Sequence, residues 1–202
     1  QCSQRVGGIL SLADLASYES SFETPLKTSF AGHEVHGQST WSQAPVMLQT
    51  LNILEHFNLK EMGHNSPAYV HTVVEAIKLA LADRQAYYGD PEYAAVPIDG
   101  LLSKEYAAQR ARLIDPGRAH PELPSAGDPW SYSALKRILR TGRAAEVAVS
   151  DGEGAGDEAG TTHISVIDRD GNMACATPSG GAFGKSVFFD ELGCALSTRI
   201  EM

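Results

Sequence analysis

The hydrophobic period of this chain changes once, and that change limits the folds open to it. As far as Leu113, apolar residues recur mostly three and four apart; from Thr162 onward they alternate. Residues 8–25 read as the start of a helix, with Ser11 as cap, Asp14 three positions later, and Leu12, Leu15 and Ala16 on one face. Residues 45–58 give a second helix through Val46, Leu48, Leu51, Ile53 and Leu54. Pro67 and Gly89 bracket the longest helix, whose apolar stripe is expected to run through Val70, Val73, Val74, Ile77, Leu81 and Ala82. A further helix covers about Lys104 to Leu113 and ends at Pro116-Gly117. Phe30 to His36 reads as extended, residues 115–130 as irregular, and Ser131 to Gly142 as room for a short helix.

Beyond Thr162 the pattern is that of strands. Asp170-Gly171, between Thr162–Asp168 and Asn172–Thr177, is a strong hairpin signal. Phe188–Phe189 and Cys194–Leu196 suggest two more short strands. Between the two halves lies Ser150 to Gly160, acidic residues spaced by glycine and alanine, which reads as a solvated loop. Helices first and strands last make an α/β chain of the α+β type.

Thr161-Thr162-His163 stands at the junction. A threonine at the head of a strand, preceded by a glycine-rich loop, suits a residue that frees its own amino terminus by cutting the chain before itself. Its hydroxyl is then the nucleophile and its own α-amine the base, with no separate His or Asp. An α-amine has a reference pKa of about 7.7–8.0, so it accepts a proton near neutral pH. Gly160, without Cβ, tolerates the strained geometry that exposes its carbonyl to the Thr161 hydroxyl. On spacing alone, a plain alternating strand of Thr162, Ile164 and Val166 explains the same residues.

A resemblance along most of the chain favours the chemical reading. Gly7-Gly8-Ile9-Leu10-Ser11-Leu12-Ala13-Asp14-Leu15-Ala16-Ser17-Tyr18, QTLNILEHFNL from Gln49 to Leu59, and HTVVEAIKLALADRQAYYGDP from His71 to Pro91 occur in that order. Val96-Pro97, Leu102-Ser103-Lys104-Glu105-Tyr106, Thr161-Thr162-His163, Ser165-Val166 and Asp168-Arg169-Asp170-Gly171-Asn172 follow. Together they resemble the γ-glutamyltranspeptidase family of N-terminal nucleophile hydrolases.

The resemblance implies part of a four-layer α-β-β-α sandwich. Residues 1–160 would be the C-terminal part of a large subunit and 161–202 the N-terminal part of a small one, parted at Gly160-Thr161. It implies an amide hydrolase or acyl transferase with Thr161 as nucleophile and Ser179 as a supporting hydroxyl. The plainer alternative for Ser179 is a turn serine in Pro178-Ser179-Gly180-Gly181. Gly180, Gly181 and Glu201 fall in the implied substrate pocket. There the chain departs from glutathione-processing members, which carry Asn at the place of Gly181 and Asp at that of Glu201. Strict γ-glutamyl specificity is therefore not expected; a related amide is an alternative substrate, and a non-catalytic binding module is another reading of the whole. The family's arginine for the substrate carboxylate and its oxyanion glycines match nothing in this chain, which is read as part of a larger enzyme and as inactive by itself. Its partners would be the rest of its own two subunits and a small amide substrate. Family members are often periplasmic or secreted, and no signal peptide is visible.

Composition narrows the rest. A 43% hydrophobic chain of 202 residues suits a globular unit with a real core. A net charge of −9 argues against nucleic-acid binding and against adsorption to anionic membranes, and no apolar run reaches membrane-spanning length. Cys2, Cys175 and Cys194 form neither a disulfide framework nor a zinc site, and Cys175 and Cys194 are expected to be free and buried. No metal or organic cofactor is implied. His33 and His36 should point to opposite faces of an extended segment, which is poor metal geometry. His71 and Glu75 read as a surface pair, and Asp83-Arg84 as an ion pair at a helix end. Asp168 to Asn172 has the opening spacing of a calcium loop but lacks its bidentate Glu; a hairpin turn explains it.

Overall fold

The computed structural model describes residues 11–134, 163–177, 188–189 and 194–195. The chain divides into two units, Phe22–Ala148 and the pair of segments Gln1–Ser21 and Val149–Met202. Helix α1, Leu12–Ser17, belongs to the second of these and is shorter than expected. Its start is a capping box: the Ser11 hydroxyl accepts from the Asp14 N–H while the Asp14 carboxylate accepts from the Ser11 N–H.

In the larger unit, β1 (Leu26–Phe30) and β2 (His33–Gly37) form an antiparallel hairpin where only one extended segment was expected. The two turn residues, Ala31 and Gly32, have φ of 49° and 82°, as a two-residue hairpin turn of the mirror-image kind demands. Ala31 is an unusual occupant of that geometry. The turn therefore lacks the Asn-Gly or Asp-Gly signature. His36 pairs with Glu34, which also holds Lys27 across the ladder.

Five helices and one 3-10 turn follow among the described residues of this unit. Helix α2 is Ala44–Leu54 and α3 is Leu59–Met62, capped by the Asn58 side chain. Helix α4, Pro67–Tyr87, starts where Pro67 stands and where Ser66 accepts from the Tyr69 N–H. Helices α5 (Ile98–Leu101) and α6 (Lys104–Ala111) follow, the latter capped by Ser103. Pro129–Tyr132 is the 3-10 turn, and much of the stretch before it is irregular, as expected.

Helix α2 packs on α4, α6 and the β1–β2 hairpin. The main core is Ile53 and Leu54 from α2, Ala76 and Leu79 from α4, and Ala107, Ala111 and Ile114 at α6. A second cluster joins Val96, Leu101 and Tyr106. The buried face of α4 differs from the expected stripe. Val70, Val74 and Ile77 are 46%, 43% and 38% exposed, while Thr72, Glu75, Ala76, Leu79, Ala80, Ala82 and Asp83 are buried. Three of those seven are polar. They go inward because each finds a partner there, which a count of apolar residues does not register.

In the smaller unit, β3 (Ile164–Ile167) and β4 (Met173–Ala176) pair antiparallel from Ile164↔Ala176 to Ile167↔Met173. The connection is tighter than the strand ends suggest, because the Asp168 N–H donates to the Asn172 carbonyl at 3.0 Å. Gly171, at φ 83°, supplies the left-handed residue that closes such a three-residue loop. β5 (Phe188–Phe189) and β6 (Cys194–Ala195) form a second antiparallel pair.

Candidate active site

The expected nucleophile, Thr161, precedes β3 by three residues in the sequence. Gly160, Thr161, Ser179, Gly180, Gly181 and Glu201 themselves lie outside the described residues, as do Cys2 and the cleavage loop Ser150 to Gly160. The strand beginning at Ile164 and its partner β4 are described. His163 stands between Thr161 and that strand. Its Nδ1 lies 2.7 Å from the Thr177 hydroxyl and its Nε2 2.7 Å from the Ser165 hydroxyl. One ring thus joins the start of β3 to the residue just past β4. Nothing in the spacing of Thr161-Thr162-His163 marked this histidine; the signal available was Ser165, two positions on and hence on the same face.

The hairpin's other end is held by Asp168. Its carboxylate accepts from the backbone N–H groups of Asp170 and Asn172, each at 2.9 Å, and from the Asn172 side chain at 2.8 Å. The Asn172 donors foremost, and the backbone donors with them, lower the Asp168 carboxyl from its ordinary value. Both carboxylate oxygens are engaged within the turn, so the calcium spacing is explained by the hairpin. No cluster of three or more metal-ligating side chains occurs among the described residues. Cys175 on β4 is free, but it is exposed rather than buried.

Buried charge occurs elsewhere in the larger unit, at Asp83, Arg110 and Glu75, and each of these groups has protein partners. Asp83 on α4 is fully buried. Arg110 approaches its Oδ1 at 3.2 Å, and the Gly127 N–H donates to the same oxygen at 2.9 Å. Tyr106 and Gln49 donate to Oδ2 at 2.9 and 3.1 Å. Arg84, the expected partner, is not the one used. Burial pushes the Asp83 carboxyl up, and Arg110, Gly127, Tyr106 and Gln49 draw it back only in part. Burial also pushes up the hydroxyls of Tyr88 and Tyr106. Gly127 is required here by space: a Cβ would lie 2.3 Å from the Tyr106 hydroxyl oxygen. The Arg110 nitrogen that approaches Asp83, Nη2, also reaches the carbonyls of Leu79 and Ser125, so this network fastens residues 125–127 to α4 and α6. All its members are protein groups with assigned partners save the buried Nε of Arg110. Fastening, rather than catalysis, is what the arrangement does.

Glu75 behaves in the same way. Expected on the surface beside His71, it is 1% exposed and bonds to Lys78, at 2.8 Å, and to His120. His71 instead reaches the Asp115 carbonyl at 2.8 Å. Burial alone would raise the Glu75 carboxyl, but hydrogen bonds from Lys78 and His120 outweigh it and hold the group down to about 2.

The chain matches the gamma-glutamyltranspeptidase family over residues 1–202. It belongs to that family. The glutathione hydrolase proenzyme of Escherichia coli (strain K12) is 31% identical over 200 residues, which is 98% of this chain and 30% of the relative. The acylase ACY 1 proenzyme of Pseudomonas sp. (strain SE83) is 33% identical over 183 residues, 90% of this chain and 28% of the relative. The crystal structure of Helicobacter pylori gamma-glutamyltranspeptidase superposes with a TM-score of 0.55 at 30% identity, over 67% of this chain and 37% of that one. The chain spans less than a third of the length of either relative. No helix among the described residues is long and apolar enough to cross a membrane.

Proposed function

We propose that this gamma-glutamyltranspeptidase-family chain is the central part of a self-processing amide hydrolase or acyl transferase whose nucleophile is Thr161. The observation that carries the reading is the β3–β4 hairpin beginning three residues after Thr161, in a chain whose matched relatives are named as proenzymes. In the reading, the Thr161 hydroxyl attacks the Gly160 carbonyl and the acyl group shifts from nitrogen to oxygen. Water then hydrolyses the ester, leaving Gly160 as a new carboxyl terminus and Thr161 as a new amino terminus. Residues 1–160 become part of a large subunit and 161–202 part of a small one, within a four-layer α-β-β-α sandwich.

In the cut enzyme the freed α-amine takes the hydroxyl proton as the oxygen attacks the substrate amide. The resulting ammonium gives that proton to the departing amine, and the acyl group stays on the Thr161 oxygen. Water or an acceptor amine then takes the acyl group. Ser179 hydrogen-bonds the nucleophile. Glu201 receives a substrate ammonium, with Gly180 and Gly181 lining the same pocket. The substrate is a γ-glutamyl or related amide. The replacement of the pocket's usual Asn and Asp by Gly181 and Glu201, together with a matched relative named as an acylase, favours a non-glutamyl acyl group.

The test is Thr161→Ala in the complete protein. The reading requires that it remain one chain on a denaturing gel and lose amide turnover. Normal cutting in this variant overturns the assignment.

A further inference from the structure

We propose that the apolar stripe of α4, formed by Val70, Val74, Ile77 and Leu81, is an internal docking face, covered in the complete protein by an apolar surface from outside these 202 residues. The stripe is independent of whether Thr161 is the nucleophile. At 3.6 residues per turn its four positions fall within an arc of about 60°. Val70, Val74 and Ile77 are exposed and Leu81 is half-buried. The residues that α4 buries, among them Thr72, Glu75, Ala76, Leu79 and Asp83, lie on the opposite side of the helix. The helix thus turns its acids inward and its β-branched residues outward, the reverse of a helix that lies on a protein surface.

Charge is drawn away from the stripe as well. The only acids of α4, Glu75 and Asp83, are buried on the far side. Lys78, beside the stripe, is tied to Glu75 at 2.8 Å and to the His120 carbonyl at 2.7 Å. His71 reaches the Asp115 carbonyl at 2.8 Å. What remains is an uncharged line about 16 Å long. A helix packed on one face and apolar on the other is one buried all round, as in the core of a larger protein. The stretch matched is 30% of one relative's length and 28% of another's, so a protein of their length carries ample further chain to cover the stripe. A second copy fits less well: two heptads of apolar spacing fall short of the three or four that sustain a coiled coil.

The experiment is hydroxyl-radical footprinting of the complete protein, read by mass spectrometry at Val70, Val74 and Ile77, native and unfolded in urea. Exposures of 46%, 43% and 38% would by themselves slow native oxidation about two- to threefold. A covered stripe should slow it by at least about 10-fold, and by the same factor after dilution of the protein by about 100-fold. Val74→Asp should lower the melting temperature by about 5 °C or more, since it buries an unpaired charge, whereas a solvent-facing change would move it by no more than about 1 °C. If Val74→Asp does not accumulate, the wild-type footprint decides alone. Slowing no greater than the exposures themselves give, or an unmoved melting temperature, overturns the docking face and leaves the assignment of Thr161 untouched. Protection that fades on dilution, while light scattering shows dimers parting, also overturns it and makes a second copy the occupant.

Discussion

Glu75 and His120, 45 residues apart, are joined twice through one carboxylate oxygen: the His120 backbone N–H donates to Oε2 at 3.1 Å, and the ring Nδ1 meets the same atom. A carboxylate only accepts, so Nδ1 carries the proton. Lys78 adds a third link, from Nζ to Glu75 at 2.8 Å and to the His120 carbonyl at 2.7 Å. The irregular chain after α6 is thereby fastened to α4 by a buried acid.

Acid should undo this fastening in a defined window. Because the folded Glu75 value is depressed to about 2, the stability it contributes is complete above the ordinary value of 4.5 and is lost as pH falls towards 2. The stability difference between wild type and Glu75→Gln, from urea melts of the complete protein, should be constant from neutral pH to about 5 and shrink below that. Near neutral pH the loss should be about 1–3 kcal/mol, the cost of leaving buried donors unpaired. A difference independent of pH would show that the carboxylate charge is not what matters.

The Asp83–Arg110 pair makes a second prediction. Arg110→Met leaves a buried, uncompensated carboxylate and should cost about 3–5 kcal/mol in thermal or urea melts. Replacing both partners, as Asp83→Leu with Arg110→Met, should cost clearly less than the two single changes added together, because neither charge is then stranded. Additive losses would mean that the two groups act independently, contrary to their 3.2 Å separation.

These two acids also mark where the sequence is legible and where it is not. The start of α4 is written locally, in Ser66 and Pro67, and its length in a run without glycine or proline from Ala68 to Tyr88. Its buried face is not, because what admits Glu75 and Asp83 to the interior is His120, Arg110 and Gly127, distant in sequence. Periodicity weighs Val74 above Glu75, and only tertiary partners reverse that order. The β3–β4 hairpin was legible from Asp170-Gly171, a turn signal with its own geometry; the β1–β2 hairpin was not, since Ala31 carries none. The family was legible from long ordered motifs. Thr161, Ser179, Gly181 and Glu201 were read from those motifs and lie outside the described residues, so their roles rest on chemistry and resemblance.

Substrate choice gives a third prediction. With Gly181 and Glu201 in place of the family's Asn and Asp, the complete protein should turn over a γ-glutamyl anilide more slowly than some other small acyl amide. Each misplaced hydrogen bond to the substrate ammonium costs roughly 1–3 kcal/mol. Gly181→Asn combined with Glu201→Asp should raise kcat/KM for the γ-glutamyl donor. Efficient γ-glutamyl turnover by the unmodified protein, lowered by the double change, would show the pocket to be misread while leaving the nucleophile untouched.

The central claim is that the chain cuts itself before Thr161, and amino-terminal sequencing of the purified complete protein tests it most directly. The account predicts two chains, the smaller beginning Thr-Thr-His-Ile, from Thr161 to Ile164. A single uncut chain in a preparation that turns over amides, or a smaller chain beginning at any other residue, would contradict it.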